Sequence, residues 1–134
     1  LSVLDETRKR WSRHYHHEAS LRDRNRPAYL LYLLLDAMVD GFFPVMDEID
    51  IQIDKLESAI YDDDQINDTE TLKSAIGLRK RLLLLRQAVT PLREVTNSIM
   101  RTEDERLLPA SLRPYWQDVY DHALRLVEQI DLHR

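Results

Sequence analysis

The sequence contains no cysteine, which excludes a disulfide framework, thiolate metal ligands and a cysteine nucleophile. Glycine and proline are scarce, with 2 and 5 residues among 134, and 32% of the residues are charged. This composition is typical of an all-helical soluble piece of protein. The uninterrupted apolar run Tyr29 to Leu35 has 7 residues, whereas a transmembrane helix needs roughly 18 to 20.

Several functional signatures are also absent. The first five residues are followed by charges instead of the apolar core of a secretory signal. There is no glycine-rich phosphate loop, no HExxH and no GxSxG motif, so we predict that the chain is not an enzyme. The sequence starts without methionine and stops inside a strongly periodic stretch, and we therefore interpret it as a piece of a longer protein.

The charges are distributed unevenly along the chain. Residues 36–70 carry 12 Asp and Glu against one Lys, whereas residues 71–106 carry 8 Lys and Arg against 4 Asp and Glu. The acidic block argues against a nucleic-acid partner. Opposite charge on consecutive segments instead predicts that the two segments pack side by side.

A long helix is predicted over residues 27–62. Apolar residues recur there at alternating steps of three and four for about four heptads, as in a helix whose seam packs on another helix. Pro44 lies inside the run and has no N–H for the carbonyl of Asp40, so we expect a kink there. The predicted seam residues are Leu35, Val39, Phe42, Met46, Ile49, Ile53, Leu56 and Ile60.

The same 3.5-residue period predicts a second helix over residues 69–102, kinked at Pro91. A short polar turn joins the two helices, which favours an antiparallel helical hairpin. The seam residues of the second helix are Ala75, Leu78, Leu82, Leu85, Val89, Leu92, Thr96 and Ile99. A further set, expected to widen this stripe, comprises Leu72, Ile76, Leu83 and Leu84.

The two ends of the chain complete an all-α prediction. Residues 1–26 read as the end of a strand, then a short helix from Asp5 and a turn over residues 22–26. A third helix begins at Arg113 and Pro114, with apolar spacing at Trp116, Val119, Ala123, Leu126 and Ile130. We therefore divide the chain into an N-terminal region (1–26), a long hairpin (27–106) and a final helix (107–134).

Acidic pairs with a spacing of four residues are the best candidates for metal ligands, because such residues share one helical face and offer oxygen atoms. Two acidic pairs have this spacing, Asp36/Asp40 and Asp50/Asp54, and so does the mixed pair Asp118/His122. Asp36 and Asp40 are the strongest candidates because they interrupt the most apolar part of the chain, where a polar group needs a partner. For each pair, a solvated helix face is the alternative interpretation. His14 and His17 would share a helical face, but no third metal ligand lies nearby. The cluster of His14, His16 and His17 is therefore more typical of a protein surface.

Three segments in order carry a resemblance to a known family: LLYLLLDAMVDGFFPVMDEIDIQIDKLE, LRKRLLLLRQAVTPLREVTNSIMR and PYWQDVYDHALRLVEQID. With their motifs LLDxxVD, LRxxxxxLRxxxxPLREV and DVYDH, residues 28–134 resemble the cytoplasmic domain of the CorA-type magnesium transporters. The resemblance implies two long "willow" helices followed by the upper part of a stalk helix. It also implies a homopentamer in the inner membrane, anchored through C-terminal helices that this sequence lacks, with the present chain in the cytoplasm.

The function that the resemblance implies is passive transport of Mg²⁺, with Co²⁺ or Ni²⁺ as further ions, under the control of cytoplasmic Mg²⁺. By its position in DVYDH, Asp118 would be a ligand of the sensing site between subunits. Asp36 of LLDxxVD would lie near a second site, with His122 as a further candidate. Asp40 is a candidate through its spacing to Asp36.

Two other functions fit the helices and the charges alone. One is a soluble helical-hairpin module that binds another protein. The other is an acidic metal-binding helical bundle similar to the phosphate-uptake regulators. The three ordered motifs favour the transporter over both.

Overall fold

The computed structural model describes residues 2–17, 22–62 and 69–133, and every regular element in these ranges is helical. This confirms the predicted all-α class. The helices are α1 (Ser2–His17), α2 (Arg22–Asp40), α3 (Phe43–Asp62), α4 (Thr69–Met100) and α5 (Arg113–His133), and a short 3-10 helix (Ala110–Leu112) leads into α5.

Helix α1 differs from the prediction for the N-terminal region. Residues 2–4, expected as the end of a strand, are already helical. Asp5 lies in the first turn, where a negative charge is stabilised by the positive end of the helix dipole. The helix packs against α2. The predicted surface cluster of His14, His16 and His17 concerns side chains outside the described part of the structure.

Helix α2 begins five residues earlier than expected. The turn predicted over residues 22–26 is wrong, because the helix already starts at Arg22 and contains Pro27. A proline this near a helix start removes a single hydrogen bond, the one to the carbonyl of Asp23. The helical turns on both sides can tolerate that loss.

The first apolar run is broken into two helices at Gly41 and Phe42. Gly41 N donates to Ala37 O at 3.0 Å, and Phe42 N donates at 3.1 Å to a carbonyl three residues earlier instead of four. Pro44 follows in the first turn of α3, where its missing N–H costs little. The bend expected in this run is therefore present, and it lies at Gly41 and Phe42, just before Pro44. By contrast, α4 runs through Pro91 as one helix.

The core is formed by the predicted seams, and α5 lies at its centre. Helix α5 packs against α4, α2 and α3. All five of its predicted seam residues are buried, and so are seven of the eight in α4. In the first run Leu35, Val39, Met46 and Ile49 are buried, while the seam becomes more exposed toward Ile60. Each fully buried large apolar side chain contributes about 1.5 to 3 kcal/mol.

The four residues expected to widen the α4 stripe are on the surface. Leu72, Ile76, Leu83 and Leu84 are exposed by 62%, 60%, 41% and 57%. The expectation of a wider buried stripe is wrong, because α3 and α5 cover only the face of α4 that carries the heptad seam.

Charged side chains link the helices at the edges of the core. Arg81 of α4 lies 3.4 Å from Glu48 of α3 and donates to Gln52 Oε1 at 2.8 Å. Arg86 of α4 pairs with Asp131 of α5 at 2.8 Å. Because these pairs are partly exposed, each contributes about 0.2 to 1 kcal/mol and sets helix orientation more than stability.

Candidate metal site

Two carboxylates lie on one face of the last turns of α2. Asp36 is buried, and Asp40, one turn later, has a side chain that is 51% exposed. Asp40 is also the last residue of α2. The carbonyl dipoles at a helix C-terminus carry partial negative charge, which adds to the two carboxylates and favours a cation there.

His122 of α5 completes a cluster with these two carboxylates. One ligand atom from each of Asp36, Asp40 and His122 lies within 4.8 Å of the others. His122 Nδ1 is 3.4 Å from Asp40 Oδ1 and has no hydrogen-bond partner in the described part of the chain. The edge of the Phe43 ring meets the imidazole at right angles, with the centroids 5.9 Å apart, and so fixes the imidazole plane.

A cation from α1 reaches the same cluster. Arg10 Nη1 donates to Asp36 Oδ2, and its Nη2 lies 3.4 Å from the hydroxyl of Tyr32. The guanidinium carbon is 5.9 Å from the centre of the Tyr32 ring. Asp36 Oδ2 is therefore paired with Arg10 in the absence of a bound ion.

Burial and nearby charges shift the pKa values of residues in and beside the cluster. Partial burial and then the neighbouring charge of Asp36 raise the pKa of Asp40, while His122 and Arg10 oppose this rise. Burial and the charge of Asp36 also raise the pKa of Tyr32. Burial lowers the pKa of Arg10, but the hydrogen bond and the charge of Asp36 together outweigh it, so the net pKa is raised and Arg10 stays charged.

Asp118 does not join the cluster. It lies on α5 one turn before His122, is exposed, and has no hydrogen bond or ion pair with any described residue. Its charge nevertheless contributes to the raised pKa of Tyr32. Of the four predicted ligands, the structure brings Asp36, Asp40 and His122 together, while Asp118 lies outside this group on the exposed surface of α5.

The second predicted acidic pair is Asp50 and Asp54, and Asp50 contacts side chains of α5. Asp50 Oδ2 accepts a hydrogen bond from Gln129 Nε2 at 2.9 Å, and His133 Nε2 lies 2.8 Å from Asp50 Oδ1. Asp54 is exposed one turn later. Asp50 thus connects α3 to the end of α5, and the pair does not form a three-ligand group among the described residues.

The donor set of the cluster fits a divalent cation. Two carboxylates and one imidazole supply three ligands on two different helices, and water would fill the remaining positions. Mg²⁺ accepts carboxylate oxygens and retains several waters, while an imidazole nitrogen also suits Co²⁺ and Ni²⁺. Sequence reasoning missed Arg10, because nothing in its spacing indicates that α1 packs beside Asp36.

The segment Pro27–Tyr61 has the length and composition of a membrane-spanning helix. Its most apolar window of 18 residues has a mean hydropathy of 1.5, so the segment is long and apolar enough to cross a membrane by length and composition alone, which the count of uninterrupted apolar residues did not indicate. Core helices of soluble proteins meet the same criteria. Here the segment is broken at Gly41 and contributes the buried residues Leu33, Val39 and Met46 to the core.

Comparison with known proteins gives consistent matches. The model of the family described as CorA-like Mg²⁺ transporter protein matches residues 1–134. The chain is 35% identical over 111 residues to the cobalt/magnesium transport protein CorA of Thermotoga maritima, which covers 83% of this chain and 30% of that protein. It is 26% identical over 110 residues to the Bacillus subtilis protein named "Putative metal ion transporter YfjQ", covering 81% of this chain and 33% of that protein. The chain thus spans about a third of the length of the curated relatives it matches.

Proposed function

The chain belongs to the CorA-like Mg²⁺ transporter family, and we propose that it forms the cytoplasmic regulatory part of an inner-membrane transporter for Mg²⁺ and Co²⁺. Its role in this proposal is to sense cytoplasmic Mg²⁺ and to gate transport. The observation that carries the sensing role is the convergence of Asp36, Asp40 and His122 within 4.8 Å. The two ions are those named for the Thermotoga maritima relative, a cobalt/magnesium transport protein.

The regulatory step follows from electrostatics. Without an ion, burial and then repulsion by the charge of Asp36 raise the pKa of Asp40. A divalent cation held by Asp36, Asp40 and His122 would offset this repulsion and would link the end of α2 to the middle of α5. Ion binding therefore favours the arrangement in which these two helices are held together, and loss of the ion weakens it.

Asp118 is assigned a different role in this proposal. Its exposed carboxylate, which has no hydrogen bond or ion pair with the described residues, is suited to complete a site with a neighbouring copy of the chain. In a ring of five subunits, such carboxylates would repel each other until Mg²⁺ bridges them. The membrane anchor and the pore belong to the part of the relatives that this chain does not cover.

The interaction module and the acidic metal-binding bundle are less well supported. Either would explain the exposed charges of α3 and α4. The family match over the whole chain favours transport, and the inclusion of a histidine in the cluster favours metal binding over a purely electrostatic partner surface.

Metal titration of the chain tests this proposal. We expect Co²⁺ and Mg²⁺ to bind, with Co²⁺ the tighter because imidazole favours it. Isothermal titration calorimetry measures both affinities. Asp40→Asn should weaken Co²⁺ binding at least about tenfold, as expected for the loss of a charged ligand.

The matched control is Asp54→Asn, which removes one exposed acid from α3 without touching the cluster. It should leave the affinity within about twofold of the original, because exposed charges at a distance are screened. Equal losses in the two variants would show diffuse attraction to the acidic surface and would contradict the proposed site.

A further inference from the structure

Arg10 is placed where it affects the ligands of the cluster without being a ligand itself. It reaches from α1 to Asp36, across 26 positions of sequence, and its side chain is only 26% exposed. Tyr32 supports it with a hydroxyl at 3.4 Å and with its aromatic face. The contact is therefore part of the packing between α1 and α2.

This contact changes the charge that an incoming cation meets. Asp36 and Asp40 together carry two negative charges, and the guanidinium of Arg10 offsets one of them. An arginine stays charged at any physiological pH. A partly buried ion pair is also screened by salt much less than a surface pair. Arg10 thus acts on Asp36 as a permanent, tethered monovalent cation.

We propose that Arg10 competes with the divalent cation for Asp36, so that docking of α1 and metal binding at the cluster oppose each other. This inference rests on the proposed metal site and adds its regulation. Coupling between two binding events is reciprocal. If Arg10 weakens the bound metal by a given factor, the metal weakens the docking of α1 by the same factor. The N-terminal helix thereby sets the cation concentration at which the cluster fills.

Replacement of Arg10 provides the first test. In Arg10→Gln the side chain keeps its polarity and loses its charge, and we expect Co²⁺ affinity at the Asp40-dependent site to rise about tenfold, a typical coupling between charged sites. Arg10→Lys retains the charge and should stay within about threefold of the original affinity. Isothermal titration calorimetry measures all three proteins, and circular dichroism checks that each is folded.

The matched control is Arg8→Gln. Arg8 lies on the same helix but is exposed, and it pairs with Asp5 at 3.6 Å within α1. This variant makes the same change in net charge and should alter Co²⁺ affinity less than about twofold. If Arg8→Gln and Arg10→Gln raise the affinity equally, the effect is one of net charge and competition at Asp36 is refuted.

Hydrogen exchange of the unmodified chain gives a second test that does not depend on a variant folding. Saturating Co²⁺ should increase amide exchange in α1 about tenfold, by the reciprocity of the coupling. Exchange in α4 should not increase. Unchanged or slower exchange in α1 would overturn the proposal.

The two proposals can fail separately. If the original chain binds Co²⁺ in an Asp40-dependent manner but Arg10→Gln binds it equally or more weakly, Arg10 does not compete and the metal site stands. If neither protein shows Asp40-dependent binding, the metal site itself is wrong and the inference about Arg10 falls with it.

Discussion

Trp116 is the largest side chain that is completely buried, and it joins α5 to α2. Its indole meets the Tyr32 ring edge-on, with centroids 5.9 Å apart and an interplanar angle of 72°. The indole Nε1 has no hydrogen-bond partner within the described ranges. A buried donor without a partner lowers the free energy of unfolding by about 1 to 3 kcal/mol. Burial of the aromatic surface of Trp116 therefore stabilises the fold, whereas its Nε1 atom destabilises it.

Substitution of Trp116 separates these two contributions. Trp116→Phe retains an aromatic ring and removes the unpaired donor, so it should lower the free energy of unfolding by less than about 1.5 kcal/mol. Trp116→Ala should lower it by about 3 to 5 kcal/mol because it leaves a cavity. Urea unfolding followed by circular dichroism gives both values. A Phe variant as unstable as the Ala variant would mean that Nε1 has a partner.

Prediction from sequence at the residue scale succeeded where helical spacing decides the geometry. Asp36 and Asp40 had to share a face because they are four residues apart on one helix. Their proximity to His122 was not predicted, since no local rule joins α2 to α5, and the family resemblance gave His122 only as a further candidate ligand. Arg10 could not be found, because its contact depends on how α1 docks. The metal-binding roles of these residues and of Asp118 stay predictions.

At the scale of elements, α4 is the helix whose burial was best predicted. Seven of its eight seam residues are buried, because the 3.5-residue period directly describes the face that packs on other helices. Thr96 fits this apolar seam because its hydroxyl donates to the carbonyls of Leu92 at 3.0 Å and Arg93 at 2.8 Å within the same helix. Leu72 and Leu84 were misassigned since composition alone does not reveal which face stays uncovered.

Gly77 lowers the stability of helix α4, because glycine has a low helix propensity. A Cβ atom built at this exposed position meets nothing within 4 Å, and its φ is not positive. Gly77→Ala should therefore raise the free energy of unfolding by about 0.5 to 1 kcal/mol, because alanine restricts the unfolded chain without strain in the helix.

The reverse change, Ala88→Gly, is the control at another exposed position of α4. It should lower the free energy of unfolding by a similar amount in the same urea experiment. If Gly77→Ala gives no gain while Ala88→Gly shows its loss, the helix around Gly77 does not behave as the regular, open helix described here.

Element boundaries were the least predictable part of the chain. A proline preceded by Asn and Arg suggested a turn at residues 22–26, yet α2 continues through Pro27. The proline lies close enough to the helix start that only one backbone bond is lost. Conversely, Pro44 was expected to bend the chain at its own position, and the turn occurs at Gly41 and Phe42 instead. Glycine there offers the conformational freedom that proline lacks.

For the whole molecule, the central position of α5 was not evident from the sequence. Its periodicity predicts an apolar seam, but it does not say which helices cover that seam. Helices α2, α3 and α4 all do so, and the side chain of Arg113 at the start of α5 donates to the carbonyl of Met100 at the end of α4 at 3.3 Å. The division of the chain at residues 26 and 106 stays a prediction.

The proposed assembly gives a prediction at this scale. In the complete transporter, Asp118→Ala should leave transport active at cytoplasmic Mg²⁺ concentrations that close the original protein, because the ring loses a bridging carboxylate. Uptake of Mg²⁺ into vesicles at several internal Mg²⁺ concentrations measures this. We expect the concentration for half-inhibition to rise at least about fivefold.

Asp121→Ala is the control for that experiment. Asp121 is a second exposed acid of α5, and it accepts a hydrogen bond from Gln117 at 2.9 Å. Its loss should leave inhibition by Mg²⁺ unchanged. Normal inhibition in the Asp118 variant would remove Asp118 from the sensing mechanism.

The break at Gly41 and Phe42 has a mechanical consequence. Tilting α3 against α2 requires rotation of only a few backbone torsions at these two residues, whereas bending an unbroken helix would strain many hydrogen bonds. Asp40 adjoins this joint, and the far end of α3 is about 30 Å away. An ion held at Asp40 would therefore lie beside this joint, and a small change in the angle between α2 and α3 would move the far end of α3 most.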